Sequence, residues 1–418
     1  MHINRPPLPA LTGARFFAAL AVFLFHYSDG FSGALRAVIE YGYVGVSFFF
    51  VLSGFILAYN YAGKTVDLKK FWVARFARIY PVYILAIGLG LLMMWLAPQS
   101  AHAPRFSVPM WLEVVLESSL LQAWTPWTYC GINCSGWSLS AEAFFYLCFP
   151  FAIAAMVQWR DSKLTKAVLL FWVLAIALPV MAMVANPALR TLRSADADPA
   201  LDMLIYNPAL NLPQFLLGAC AGLLFLRRSN SVPYASYGST LLTVTAIALT
   251  VFVMGLMVLL PRQIPEVMVR NGLFAPVFAL LIYGIARDPQ AIMARIMASK
   301  PFVVLGEASY AVYILQVGVF EALDALGFIK FVMAQGPIVF GVSVLTITVV
   351  ISIATFYFIE TPARKLISRT LLGSAGKKAA PLSPSKPSHA LHVPTVDHRA
   401  MSFDKKRAPM TQITIKND

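Results

Sequence analysis

Charge is scarce in this chain. Only 12% of its 418 residues are Asp, Glu, Lys or Arg, and 59% are hydrophobic. Soluble domains average about a quarter charged and about half apolar, so a water-soluble globular fold is excluded. Histidine and cysteine are also few, at six and four. No cysteine stands in a Cys-x-x-Cys or Cys/His zinc spacing, so no metal site is expected. Cys148 and Cys220 fall inside apolar stretches and read as packing residues. Cys130 and Cys134 lie in the polar stretch WTYCGINCSGW. They can bridge if that loop faces an oxidising compartment, and stay thiols otherwise. The first apolar run has no clear small-residue cleavage site and carries Arg15 and His26, so it is expected to remain in the chain rather than leave as a signal peptide.

What the chain does have is long apolar runs. They are continuous rather than alternating, which favours helices over a closed barrel. About ten are near the 20 residues needed to cross a bilayer: 9–28, 43–62, 79–97, 137–158, 166–185, 212–226, 238–260, 271–286, 301–323 and 337–359. The expected fold is an all-α integral membrane protein with about ten transmembrane helices. The segment 111–124 is apolar but holds two glutamates, and reads as an interfacial helix or a lid. The net charge of +14 does not point to nucleic acid, because the basic residues flank the apolar runs. With the N-terminus inside, 26 of the 33 Lys and Arg fall on cytoplasmic segments. That bias predicts N-in and C-in. The transmembrane domain is expected over 1–370, and 371–418, rich in Pro, Ser and Lys, as a disordered basic cytoplasmic tail.

Ionisable groups inside spans are costly, so each is a functional candidate. Here they are Arg15 and His26 on the first span, Glu142 on the fourth, Glu307 on the ninth and Glu360 at the end of the tenth. His26 is the one histidine in any span. Eleven residues return to nearly the same helix face, so Arg15 and His26 share a side, roughly 16 Å apart along the axis. That suits a tunnel with a different task at each end. Glu142, five residues beyond Trp137, is expected at a depth near His26. There it would orient the imidazole; otherwise it steadies the bundle through another polar group. Arg75 and Arg78 are helix-face neighbours at the cytoplasmic edge. They read either as a fork for phosphates or as ordinary membrane-edge anchors.

These motifs, in order along the chain, resemble the acyltransferase-3 family of polytopic membrane enzymes, over about residues 8–366. The resemblance is carried by Arg15 and His26 with ten residues between, GYVGVSFFFVLSGFIL, RFARIYPVY with Arg75 and Arg78, WSLSAEAFFYLCFP with Glu142, LPQFLLGACAG, LGEASYAVYILQ and FIETPARK. Three positions depart from the family pattern. Ala143 and Phe144 stand where a glutamate and a glutamine are common, and Gln316 where a histidine is common. Mechanisms that need a second histidine or a paired carboxylate are thereby disfavoured.

The resemblance implies transfer of an acyl group, with acetyl expected, from cytoplasmic acyl-CoA (acetyl-CoA) to a hydroxyl of a surface polysaccharide or glycolipid, in a bacterial inner membrane. Arg75 and Arg78, with Arg15, would hold the donor. His26 would act as general base, oriented by Glu142, or would carry the acyl group itself. With no stretch suited to a soluble catalytic domain, the bundle would do the whole transfer or hand its product to another protein. The competing expectation is a secondary transporter using the buried Arg, His and Glu. An enzyme leaves a base-labile ester on its acceptor; a transporter does not.

Overall fold

A computed structural model describes residues 5–28, 31–100, 108–196, 198–229, 236–259 and 264–373. Among these residues every regular element is a helix. The helices used below are α1 Pro9–His26, α2 Val44–Tyr61, α3 Leu68–Leu96, the short α4 Met110–Ser118, α5 Trp137–Met156, α6 Asp161–Ala185, α7 Pro208–Ser229, α8 Ser236–Leu259, α9 Ala275–Arg287, α10 Lys300–Ala325, α11 Pro337–Thr355 and α12 Thr361–Leu372. The basic tail expected beyond residue 370 lies, from residue 374 onward, outside the described residues.

Nine helical stretches among the described residues are long and apolar enough to span a bilayer, and a shorter apolar stretch, Thr243–Phe252, lies within α8. The contacts between loops show why α8 counts as the tenth crossing. At one end, Arg5 donates to the Ala62 carbonyl, Arg227 to the Trp159 and Val157 carbonyls, and Arg287 to the Arg228 carbonyl. This is the basic end. At the other, Arg193 approaches Glu40, and Ser194 donates to Glu266. Arg228 and Glu266 thus lie at opposite ends, and α8 is what joins them. α11 starts beside Tyr27, whose ring lies 6.3 Å from that of Phe340, and Glu360, just past its end, pairs with Arg78. Residue 5 and α12 therefore share the basic end.

Local rules shape the crossings. The Asp67 side chain caps α3 by accepting from the Lys70 amide at 3.0 Å. Pro81 interrupts the α3 ladder one turn past Arg78, and Tyr310 donates to the Ile79 carbonyl beside the break at 2.5 Å. α2 and α7 cross closely because Gly54 faces the Phe215 carbonyl and Gly218 faces the Val51 carbonyl. A methyl at either would run into backbone.

The segment read as an interfacial helix or lid forms α4 and a cap behind it. Its polarity is the reverse of an interfacial helix. Glu113 and Glu117 are its buried residues, while Trp111 and Val115 are exposed. Glu117 accepts from the Ile132 and Asn133 amides at 2.6 and 3.2 Å, and neither oxygen of Glu113 has a hydrogen-bond partner. Burial pushes the Glu113 carboxyl up to about 7. Burial likewise raises Glu117 to about 8, against the opposing pull of the Asn133 and Ile132 amides. Cys130 and Cys134 are joined as a disulfide in this cap. Asn133 Nδ2 donates to the Ile314 carbonyl at 2.9 Å. Since Ile314 is near the middle of α10, the cap dips well into the bundle.

Candidate functional site

Between α1, α2, α3, α5 and α10 lies a cavity of about 220 Å³. α2 lines it from Val46 to Leu57, a length of roughly 16 Å at the helical rise. Its polar wall is built from Arg15 of α1, Ser53 of α2, Arg75 and Arg78 of α3, Glu142 and Tyr146 of α5, and Tyr310 and Tyr313 of α10. Of the five residues to which the resemblance assigns a role, Arg15, Arg75, Arg78 and Glu142 meet here.

The charges divide into engaged and unengaged groups. Arg78 pairs with the fully buried Glu360. Glu142 accepts from the Tyr146 hydroxyl and from Ser53 Oγ, the latter at 3.3 Å. Arg75 makes no hydrogen bond or ion pair with a described residue. It lies 5.8 Å from the Tyr146 ring centroid and 5.9 Å from that of Phe71, and its buried Nε has no acceptor. Arg15 likewise has no direct acceptor among the described residues; it feels the charges of Arg78, Glu142 and Glu360. Arg364 adds a fourth guanidinium near Arg78, Glu360 and Glu307. Four arginines thus face three carboxylates, two of which are already bonded. Cations in the membrane interior are not kept without a partner, and this arrangement is able to receive an anion.

His26 does not line this cavity. It ends α1 as an exposed residue with its ring edge-on to Phe25. Its Nδ1 lies 2.8 Å from the Val22 carbonyl. A carbonyl only accepts, so Nδ1 carries the proton, and the neutral ring then has its lone pair on Nε2. The expected pairing of His26 with Glu142 is not what the structure has. The reason is the cap: because Asn133 reaches mid-bundle, Trp137 begins below the surface, and Glu142 lands among the arginines instead of level with His26.

A second cavity, of about 270 Å³, lies at the His26 end, with Phe25 and Ser28 in its wall. Tyr43 lines this cavity and Val46 lines the central one; they are about one turn apart on α2. The two cavities are stacked.

Residues 8–357 match the model of a family described as an acyltransferase domain. The chain belongs to this acyltransferase family. Among curated relatives of this acyltransferase-family chain, Acyltransferase MdmB of Streptomyces mycarofaciens is 40% identical over 153 residues, which is 34% of this chain and 38% of the relative. Peptidoglycan O-acetyltransferase OatA of Listeria monocytogenes is 24% identical over 385 residues, 87% of this chain and 56% of the relative. O-acetyltransferase OatA of Staphylococcus aureus is 22% identical over 377 residues, 86% of this chain and 57% of the relative. The chain spans little more than half of either OatA. No solved structure matches it.

Sequence reading did not assign roles to Tyr146, Ser53 or Arg364, nor the pairing of Arg78 with Glu360. Helical spacing carries part of that signal: Tyr146 follows Glu142 by four residues, and Arg364 follows Glu360 by four. The link between α3 and the last crossing has no local signature.

Proposed function

We propose that this chain is a membrane O-acyltransferase that moves an acyl group, acetyl in the first instance, from acyl-CoA to a hydroxyl of a surface polysaccharide or glycolipid in a bacterial inner membrane. The observation that carries the reading is the central cavity, where Arg15 and Arg75 stand without direct acceptors while the nearby carboxylates are engaged. That surplus suits a polyanionic donor. The names of the two OatA relatives support acetyl as the group, and the name of the Listeria relative, a peptidoglycan O-acetyltransferase, supports a polysaccharide as the acceptor.

The basic end is the cytoplasmic one on this reading. The distribution of Lys and Arg favours it, and the Cys130–Cys134 disulfide at the other end fits an oxidising compartment. CoA would enter from the basic end, its phosphates held by Arg75 and Arg15. Arg78, tied to Glu360, shapes the wall. The acceptor would approach from the His26 end. Nε2 of His26 would take the hydroxyl proton as the oxygen attacks the thioester carbonyl. The CoA thiolate then leaves and takes that proton from the imidazolium, so one ester forms as one thioester breaks. Glu142 serves on this reading as counter-charge to the arginines and as the anchor of Tyr146, not as the orienter of His26; the Val22 carbonyl orients the ring.

The test is a comparison, by NMR and mass spectrometry, of surface glycans from a deletion strain carrying either the wild-type chain or His26→Ala. An ester made by the wild type, labile to mild alkali and missing with the variant, is the expected result. An ester with both removes His26 from the chemistry. No ester with either, together with solute uptake that depends on the chain, would favour a transporter.

A further inference from the structure

The cavity at the His26 end has a chemistry of its own. Arg270 lies with its guanidinium 4.0 Å from the centroid of the Tyr43 ring and 5.5 Å from that of Phe25. Its Nε pairs with Glu266 at 2.5 Å and its Nη2 donates to Ser194 at 3.0 Å. Both Arg270 and Glu266 are largely buried, with side-chain exposures of 10% and 14%. This guanidinium is therefore held in one place by two aromatic rings, a carboxylate and a hydroxyl. Around the rim stand three more arginines. Arg36 pairs with Glu40 at 2.8 Å, Arg193 lies 4.0 Å from the same carboxylate, and Arg190 makes no ion pair with a described residue. Among the described residues that line this space of about 270 Å³, four arginines face two carboxylates.

Two features of this pocket point to one kind of ligand. The fixed donors and acceptors of Arg270, Glu266 and Ser194 suit hydroxyls. The surplus of guanidinium forks suits a planar anion, which arginine binds in two-pronged fashion. We propose that this pocket binds the acceptor through a sugar unit bearing an acidic group, a carboxylate or a phosphate, next to the hydroxyl that is acylated. This deepens the O-acyltransferase reading and rests on it. The placement is consistent with that chemistry: Phe25 in the pocket wall immediately precedes His26, and Tyr43 is about one turn from the central cavity.

The experiment uses the full chain in lipid nanodiscs with acetyl-CoA, reading both thiol release and ester formation. The acceptor probes are a glucuronate-containing disaccharide, a disaccharide phosphate and the matching neutral disaccharide. The acidic probes are expected to show a KM about tenfold below that of the neutral one, and whichever acid is favoured names the anion. Arg190→Gln/Arg193→Gln at the rim is expected to raise the acidic-probe KM about tenfold, a difference of about 1.4 kcal/mol. It should leave the neutral-probe KM and the acetyl-CoA KM unchanged. Arg270→Lys, which keeps the charge but loses the fork, should raise acceptor KM for acidic probes as well. Equal KM values for acidic and neutral acceptors, or rim variants that do not separate them, overturn the acidic-sugar inference and leave the O-acyltransferase reading intact. Absence of ester formation on every probe, with no acetyl-CoA turnover, overturns both.

Discussion

Arg78 and Glu360 pair across 282 residues of chain, joining a point about three turns into α3 to the end of the last crossing. Glu360 is fully buried and Arg78 is 19% exposed. Removing either member alone strands a charge in the bundle, a change that costs about 3–5 kcal/mol at buried pairs. Arg78→Ala and Glu360→Ala are both expected to lower the melting temperature in detergent. Arg78→Gln with Glu360→Gln together should recover much of the loss, since no charge is then left behind. A double variant as unstable as the sum of the two would disprove the pairing as the cause.

Arg75 differs from Arg78 in having no ion-pair partner to strand among the described residues. Arg75→Gln is expected to leave the melting temperature within about 0.5 kcal/mol of wild type in stability. Its effect should fall on the donor, with the apparent KM for acyl-CoA rising about tenfold. Steady-state kinetics on purified protein check both halves. An unchanged KM would return Arg75 to the role of a membrane-edge anchor.

His26 stands outside the central cavity, so its replacement should not disturb the arginine cluster. His26→Ala is expected to cut acyl transfer by about 100- to 10,000-fold, the usual contribution of a positioned base, with expression and acyl-CoA binding unchanged. Ester yield normalised to protein level is the measurement. Full activity at normal levels would remove the histidine from the mechanism.

The cap gives a pH prediction with a definite sign. Burial holds Glu113 at about 7 and Glu117 at about 8, above the ordinary carboxyl value of 4.5. The folded cap therefore binds protons that the unfolded chain releases. Its contribution to stability is full below about pH 4.5 and is lost as pH rises through 7 to 8. Glu113→Gln keeps the shape without the ionisation. It should match wild type at pH 4 and melt roughly 2–4 °C higher at pH 8.5. Equal melting temperatures at both pH values would show that Glu113 is not the group being titrated.

The helical bundle was legible in the sequence because twenty apolar residues have few other stable solutions in lipid. The central cluster was legible in large part too, since an arginine or glutamate within such a run must face something polar. The depth of Glu142 was not. It depends on how far the 120–136 cap sinks between helices, and that is set by contacts such as Asn133 to Ile314, between residues far apart in sequence. α4 misled for a related reason. Two glutamates in an apolar stretch ordinarily mark a water-facing side, but here both are buried, and Glu117 accepts from the amides of residues 132 and 133. The pocket around Arg270 gave no sequence signal, because its parts come from four separate loops and helix ends.

The two stacked cavities have a consequence for the cell's energy supply. On the proposed reading, donor and acceptor each stay on their own side, and only a small acyl fragment passes the single turn of α2 between Val46 and Tyr43. Neither carrier needs an open channel, so decoration of the envelope could proceed without leaking protons or dissipating the membrane potential.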